Sequence, residues 1–161
     1  MNDLFSVLKP VDRGVSSSVF PVQWPGFNKP KIMKVNTRSN ALETTIREAT
    51  ILEELHGRAG APNLSAVIPE YGVIVIEDLG RISLLSLLQS NDRSLNDNTW
   101  RDILYGVAFK LQQLHIAGYV HSELKPNHVM IRFDEDGDLH VQLIDFSLSV
   151  GKGARSRIHV R

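Results

Sequence analysis

The chain has 161 residues, 42% of them hydrophobic and 22% charged, with Lys plus Arg and Asp plus Glu both at 18. This length builds one moderate core or two small lobes, and the balanced charge gives no global electrostatic pull toward nucleic acid or a membrane surface. Cysteine is absent, which excludes disulfides, thiolate metal sites and a thiol nucleophile; Met1 to Leu8 holds no secretory apolar region and no run is long enough for a bilayer-spanning helix, so an intracellular, soluble, cytoplasmic protein is expected.

Residues Leu4 to Gln23 alternate loosely around Gly14-Val15-Ser16-Ser17-Ser18, the pattern of a strand, a polar turn and a second strand. Two prolines and a glycine make Trp24 to Pro30 a loop, and Lys31 to Val35 is a short strand. Leu42, Ile46, Ala49, Leu52 and Leu55 recur at helical spacing within Asn40 to His56, and these are the residues expected to face the core. Gly57 and Gly60 end that helix, and Pro62 prevents its return. Ala66 to Ile68 and Tyr71 to Ile76 are expected strands on either side of Pro69-Glu70. Ser83 to Leu88 is a short apolar helix, Asn91 to Asn98 a polar loop. Thr99 to Ile116 carries the strongest helical pattern, with Trp100, Ile103, Leu104, Val107, Leu111 and Leu114 on one face and Gly118 closing it.

The stretch from His121 to Phe146 carries the most chemistry. His-Ser-Glu-Leu-Lys-Pro-Asn-His reads as a loop, an apolar strand follows from Val129, Asp134-Glu135-Asp136-Gly137-Asp138 turns the chain, and a second apolar strand leads to Asp145 and Phe146. The acidic run is a hairpin turn: its glycine comes too early for a Ca²⁺-binding loop and apolar strands flank it tightly. This order puts His121, Glu123, Lys125, His128 and Asp145 at the ends of one β-hairpin. A carboxylate at a strand end suits Mg²⁺, which prefers oxygen ligands, whereas imidazole suits softer ions.

This stretch resembles the catalytic core of protein kinases, where H-R-D-L-K-x-x-N and D-F-G occupy the same places. In compactness the chain resembles kinases of the Bud32 and aminoglycoside-phosphotransferase type, and the resemblance runs from Leu4 to Ser149. It implies an α+β, protein-kinase-like fold, with a β-rich small lobe at Met1 to Asp78. A helical large lobe at Leu79 to Arg161 is expected to be truncated after the Asp145-Phe146 motif and to end in a basic tail. Glu123 stands where the family has Asp, His128 where it has Asn, Ser122 where it has Arg and Ser147 where it has Gly. Ile32 takes the place of the alanine over the adenine.

The resemblance implies ATP and Mg²⁺ as cofactors, with Mn²⁺ as an alternative ion. Gly14, Ser16, Ser17 and Val19 of the first turn, Lys34 with its partner Glu48, Glu77 and Met130 are the implied nucleotide contacts. Asp145 and His128 are the implied metal ligands, while Glu123 and Lys125 act at the accepting hydroxyl and the γ-phosphate. His121 is implied to pack structurally beneath the loop. The function implied is slow γ-phosphate transfer to a hydroxyl, of Ser/Thr-kinase type. The alternative is a pseudokinase serving as a protein-binding scaffold or decoy. A protein partner or a homodimer is expected to cover the large lobe; a membrane or a nucleic acid is not an expected partner.

Overall fold

The computed structural model describes residues 12–13, 17–23, 26–90 and 95–151. The chain divides into two units, Met1–His56 with Pro62–Asp78, and Gly57–Ala61 with Leu79–Arg161. In the first, strands β1 (Asp12–Arg13), β2 (Ser17–Val22), β3 (Lys31–Asn36), β4 (Leu64–Ile68) and β5 (Val73–Glu77) form one antiparallel sheet in the order β1-β2-β3-β5-β4. Phe20, Met33, Val73 and Val75 make a buried cluster, with Val22, Val35, Ala66 and Ile68 packed against it. Side chains on a strand alternate between faces, so Ile32, Lys34 and Asn36 of β3 point the other way.

On that second face β3 meets helix α1 (Ala41–Leu55) through two polar contacts. Lys34 bonds to Glu48, and Asn36 Nδ2 donates to Thr45 Oγ1 at 2.8 Å. Residues two apart on the strand thus match residues three apart on the helix. This matching corrects the expected helix face: Leu42 and Ile46 are 55% and 48% exposed, whereas Thr45, Glu48, Ala49, Ile51, Leu52 and Leu55 are buried. Apolar spacing locates the helix, but the buried polar groups set its rotation, because each needs a specific partner and an apolar side chain needs only cover.

A short 3₁₀ turn at Pro69–Tyr71 leads through Gly72 into β5. Gly72 has φ 67° and its carbonyl accepts from Asn36 N. A Cβ there would lie 2.7 Å from the Asn36 carbonyl oxygen, so the strand start requires glycine both for its backbone angle and for the close approach.

The second unit holds α2 (Leu84–Ser90), α3 (Asp97–Ile116) and, among the described residues, two two-stranded antiparallel pairs. β6 (Tyr119–Val120) pairs with β9 (Val150–Gly151), and β7 (Val129–Phe133) with β8 (Leu139–Leu143). Asn96 caps α3, its Oδ1 accepting from Thr99 N at 3.0 Å. Val129, Ile131, Val141, Leu143 and Phe146 are buried in this unit along with Ile103 and Leu114 of α3. Close approach of α3 to β8 depends on Gly106, where a Cβ would come within 2.6 Å of Val141 Cγ2.

Only part of the expected α3 face is buried. Ile103 and Leu114 are, but Leu104 is 62% exposed, and Tyr105, Phe109 and Ile116 are exposed beside it. The two-stranded β7–β8 pair is narrow, and the helix stripe it covers is narrower than the apolar stripe in the sequence. At the hairpin turn, Asp134 Oδ1 accepts from the backbone N–H groups of Asp136 and Asp138, and its Oδ2 lies 2.7 Å from His140 Nε2. That carboxylate is spent on its own turn. A β-rich first unit and a helix-bearing second unit together give the α+β, protein-kinase-like fold. No helix among the described residues is long and apolar enough to cross a membrane.

Candidate functional site

In the first unit Lys34 sits on β3 between Met33 and Val35, whose side chains belong to the opposite face. Its Nζ donates to both carboxylate oxygens of Glu48, at 2.9 and 2.8 Å. The two side chains are 8% and 2% exposed. Removing both charges from water is costly, so such a pair persists only when attraction and hydrogen bonds offset the desolvation. The result is an ammonium held in one place, a fixed positive charge suited to anionic oxygens.

In the second unit the loop after β6 is tied to the segment after β8. His121 is buried; its Nε2 donates to the Ile144 carbonyl at 2.9 Å and its ring packs 5.1 Å from that of Phe146. The carbonyl of His121 accepts from Ser149 Oγ at 3.1 Å. Ser122 then turns the chain with φ 64°. Glu123 follows, with Lys125 Nζ 3.2 Å from its Oε1. A 3₁₀ turn at Pro126–His128 carries the chain into β7 and buries the His128 ring. His128 Nδ1 lies 2.9 Å from the Glu123 carbonyl oxygen, and Nε2 lies 3.5 Å from Asp145 Oδ2. Asp145 follows β8 in the left-handed conformation, φ 64°, which Asp tolerates better than most residues. Ser147 Oγ donates to Asp145 Oδ1 at 2.7 Å. Glu123, His128 and Asp145 each offer one ligand atom, and these atoms lie within 4.8 Å of one another.

A carbonyl oxygen only accepts, so the Nδ1 of His128 carries the proton donated to Glu123. Burial holds the His128 pKa below the ordinary imidazole value, against the opposing pull of Asp145. Burial does the same to His121, with the Ile144 carbonyl opposing it. Near neutral pH the His128 ring is therefore neutral, with a lone pair on Nε2. His121 is the converse tautomer: its Nε2 carries the proton, and its buried Nδ1 has no hydrogen-bond partner among the described residues.

The structure thus gathers Glu123, Lys125, His128 and Asp145 in the second unit, and Lys34 with Glu48 in the first. Of the remaining expected nucleotide contacts, Gly14 and Ser16 lie outside the described residues, as does the basic tail beyond Gly151. Ser17 and Val19 are on β2, opposite Asn36 and Lys34. Glu77 ends β5, where its carboxylate accepts from Asn63 Nδ2 at 2.8 Å and its backbone N–H donates to the Asn63 carbonyl. That carboxylate is engaged in closing the strand end. Met130 is half-buried on β7, opposite Gln142 and bridged to Ser83. Ser147 was legible in the sequence only as a substituted glycine. Its position two residues beyond a strand-end aspartate is the signal that a hydroxyl there can reach the carboxylate.

Residues 23–161 match the profile of the lipopolysaccharide kinase (Kdo/WaaP) family. Among curated proteins, the probable serine/threonine protein kinase IRE of Arabidopsis thaliana is 30% identical over 151 residues, which are 90% of this chain and 12% of that protein. The serine/threonine-protein kinase KDX1 of Saccharomyces cerevisiae is 22% identical over 175 residues, covering 99% of this chain and 39% of that protein. The chain therefore spans about an eighth of the first relative and two-fifths of the second. With the α+β fold and the matched motifs, these similarities show that the chain belongs to the lipopolysaccharide kinase (Kdo/WaaP) family of the protein-kinase-like superfamily.

Proposed function

We propose that the protein transfers the γ-phosphate of ATP, accompanied by Mg²⁺ or Mn²⁺, to a hydroxyl group. The observation that carries this reading is the dry Lys34–Glu48 pair, which keeps a lysine fixed on β3 at the place the kinase pattern assigns to phosphate binding. Phosphoryl transfer needs mostly positioning and charge neutralisation. In this reading Lys34 holds phosphate oxygens, and Asp145 and His128 hold the ion that travels with the nucleotide. Glu123 orients the accepting hydroxyl and takes its proton, and Lys125 neutralises charge on the transferring group. The ion supplies further neutralisation at the phosphate oxygens when bound. Glu123 is one methylene longer than the aspartate of the kinase pattern, and a misplacement of about 1 Å costs on the order of 100-fold, so transfer is slow.

The acceptor we assign is a Ser or Thr hydroxyl, in keeping with the names of the curated relatives. The test begins with thermal unfolding in ATP with Mg²⁺ and, separately, with Mn²⁺, for the natural chain and for Asp145→Asn. Ligand at about 100 times its Kd stabilises a folded protein by about 2.7 kcal/mol. A metal-dependent rise in Tm that the variant loses is the expected result; a folded chain with no rise in either metal overturns the reading. Phosphate incorporation from labelled ATP into a Ser/Thr protein and into lipopolysaccharide then identifies the acceptor, since the family is named for the second.

The substitutions at Glu123 and His128 favour a second reading, a scaffold that binds nucleotide without turnover. Glu123→Asp combined with His128→Asn separates the two. Phosphotransfer rises if the machinery is otherwise assembled, and stays at background in a scaffold.

A further inference from the structure

The geometry points to a nucleotide-independent site for a borderline divalent cation of the Mn²⁺-to-Zn²⁺ class, ligated by Glu123, His128 Nε2 and Asp145. This inference rests on the proposed phosphotransfer site and deepens it by naming the ion class and by making His128 a nitrogen ligand.

The Glu123 carbonyl takes the Nδ1 proton of His128, so Nε2 presents its lone pair to Asp145 Oδ2 at 3.5 Å. A cation placed between these two electron-rich atoms would take both as ligands. A metal-binding histidine characteristically donates its other ring N–H to a carbonyl or carboxylate, which fixes the tautomer. His128 does so, and Ser147 holds Asp145 Oδ1 so that Oδ2 is the oxygen turned toward the ring.

Distances agree. Two donors each about 2.1 Å from one ion lie at most about 4.2 Å apart, and the Nε2–Oδ2 separation of 3.5 Å falls inside that limit. Glu123 has its ligand atom within 4.8 Å of the other two and is more exposed than they are, so it is the ligand with most room to adjust. Lys125 sits on Oε1 of Glu123 at 3.2 Å, so the cation takes the other carboxylate oxygen or displaces a half-exposed lysine. Chemistry selects the ion. Mg²⁺ and Ca²⁺ favour all-oxygen sets, and an imidazole among two carboxylates favours ions from Mn²⁺ toward Zn²⁺. One consequence concerns catalysis: an ion on Glu123 occupies the carboxylate that an accepting hydroxyl requires, so occupancy of all three ligands opposes transfer.

The test uses the tag-free natural chain without nucleotide, loaded with Mn²⁺ and read by pulsed electron paramagnetic resonance. The expected result is a nitrogen coupling from a coordinated imidazole, lost in His128→Asn, with Mn²⁺ affinity at least tenfold weaker in that variant and in the milder Asp145→Asn. Zn²⁺ displaces the Mn²⁺, and a large excess of Mg²⁺ does not. Mn²⁺ bound without nitrogen coupling, Mn²⁺ displaced readily by Mg²⁺, or no Mn²⁺ binding until ATP is added each overturns the inference. The same samples with ATP keep the two readings apart. A Mg²⁺-dependent nucleotide shift with no nitrogen coupling retains phosphotransfer and removes this site. Nitrogen coupling with no nucleotide response does the reverse.

Discussion

The Lys34–Glu48 pair and the Glu123–His128–Asp145 group are both charged constellations, but solvent treats them differently. Lys34 and Glu48 are 8% and 2% exposed and bonded through both carboxylate oxygens. Glu123, Lys125 and Asp145 keep between a fifth and a half of their side-chain surface open. The closed pair matches the kinase pattern at both positions, whereas the open group departs from it at Glu123. Burial explains the contrast. Changing one partner of a dry ion pair strands the other charge, while a carboxylate at a wet site can lengthen by a methylene at the cost of position alone. His128 is the informative exception: it is buried and also departs from the pattern, and the Glu123 carbonyl satisfies its Nδ1.

The largest effect comes from breaking the closed pair. Lys34→Met leaves Glu48 buried without its ammonium and is expected to cost about 3–5 kcal/mol in urea unfolding. Adding Glu48→Leu removes the stranded charge and should recover most of that loss. A single-variant cost under about 1 kcal/mol would mean that water reaches the pair, and the contrast with the second unit would collapse.

A smaller effect tests how the open group is held. Asp145 follows β8, and β8 packs on α3 at Gly106. Gly106→Ala gains up to about 1 kcal/mol of helix propensity, but its Cβ would stand 2.6 Å from Val141 Cγ2. Val141 is buried and β-branched, so it has little room to turn away. Overpacking of about 1–3 kcal/mol wins, and a net loss of about 1 kcal/mol is expected. Val141→Ala should relieve it in a double-mutant cycle. Additive losses would show that the contact is not the reason for the glycine.

Element order and the hairpin were legible because alternation, helical spacing and glycine breaks are local signals. Rotation of α1 was not legible from its apolar residues. Leu42 and Ile46 fit the helical period yet lie outward, and the residues that turn the helix, Thr45 and Glu48, are polar ones whose partners sit on β3. Leu104 failed in the same way on α3, because spacing says which residues share a face and not how wide a neighbour will cover it. At the site, motif order was enough to bring Glu123, His128 and Asp145 together. The tautomer of His128 and the bond from Ser147 were not legible, since both depend on backbone and side-chain directions fixed only on folding.

The smallest expected effect is a pH dependence confined to the second unit's histidines. Burial lowers the folded pKa of both His121 and His128 below 6.5. His121 faces His128, Asp145 and the Ile144 carbonyl, and His128 faces Asp145, Lys125 and Glu123. Well above pH 6.5 neither the folded nor the unfolded chain binds a proton at these rings, so they add no slope. As pH falls through 6.5 the unfolded chain takes up protons that the folded one refuses, and stability declines until the folded values are reached. Urea unfolding should therefore show lower stability at pH 5.5 than at pH 7.5, with a shallower decline in His128→Asn. The Lys34→Met, Glu48→Leu double variant, which alters no imidazole, should keep the slope of the natural chain. Stability that instead rises on acidification would mean that a charged His128 pairs with Asp145, that attraction outweighs burial, and that the second constellation is a closed ion pair like the first.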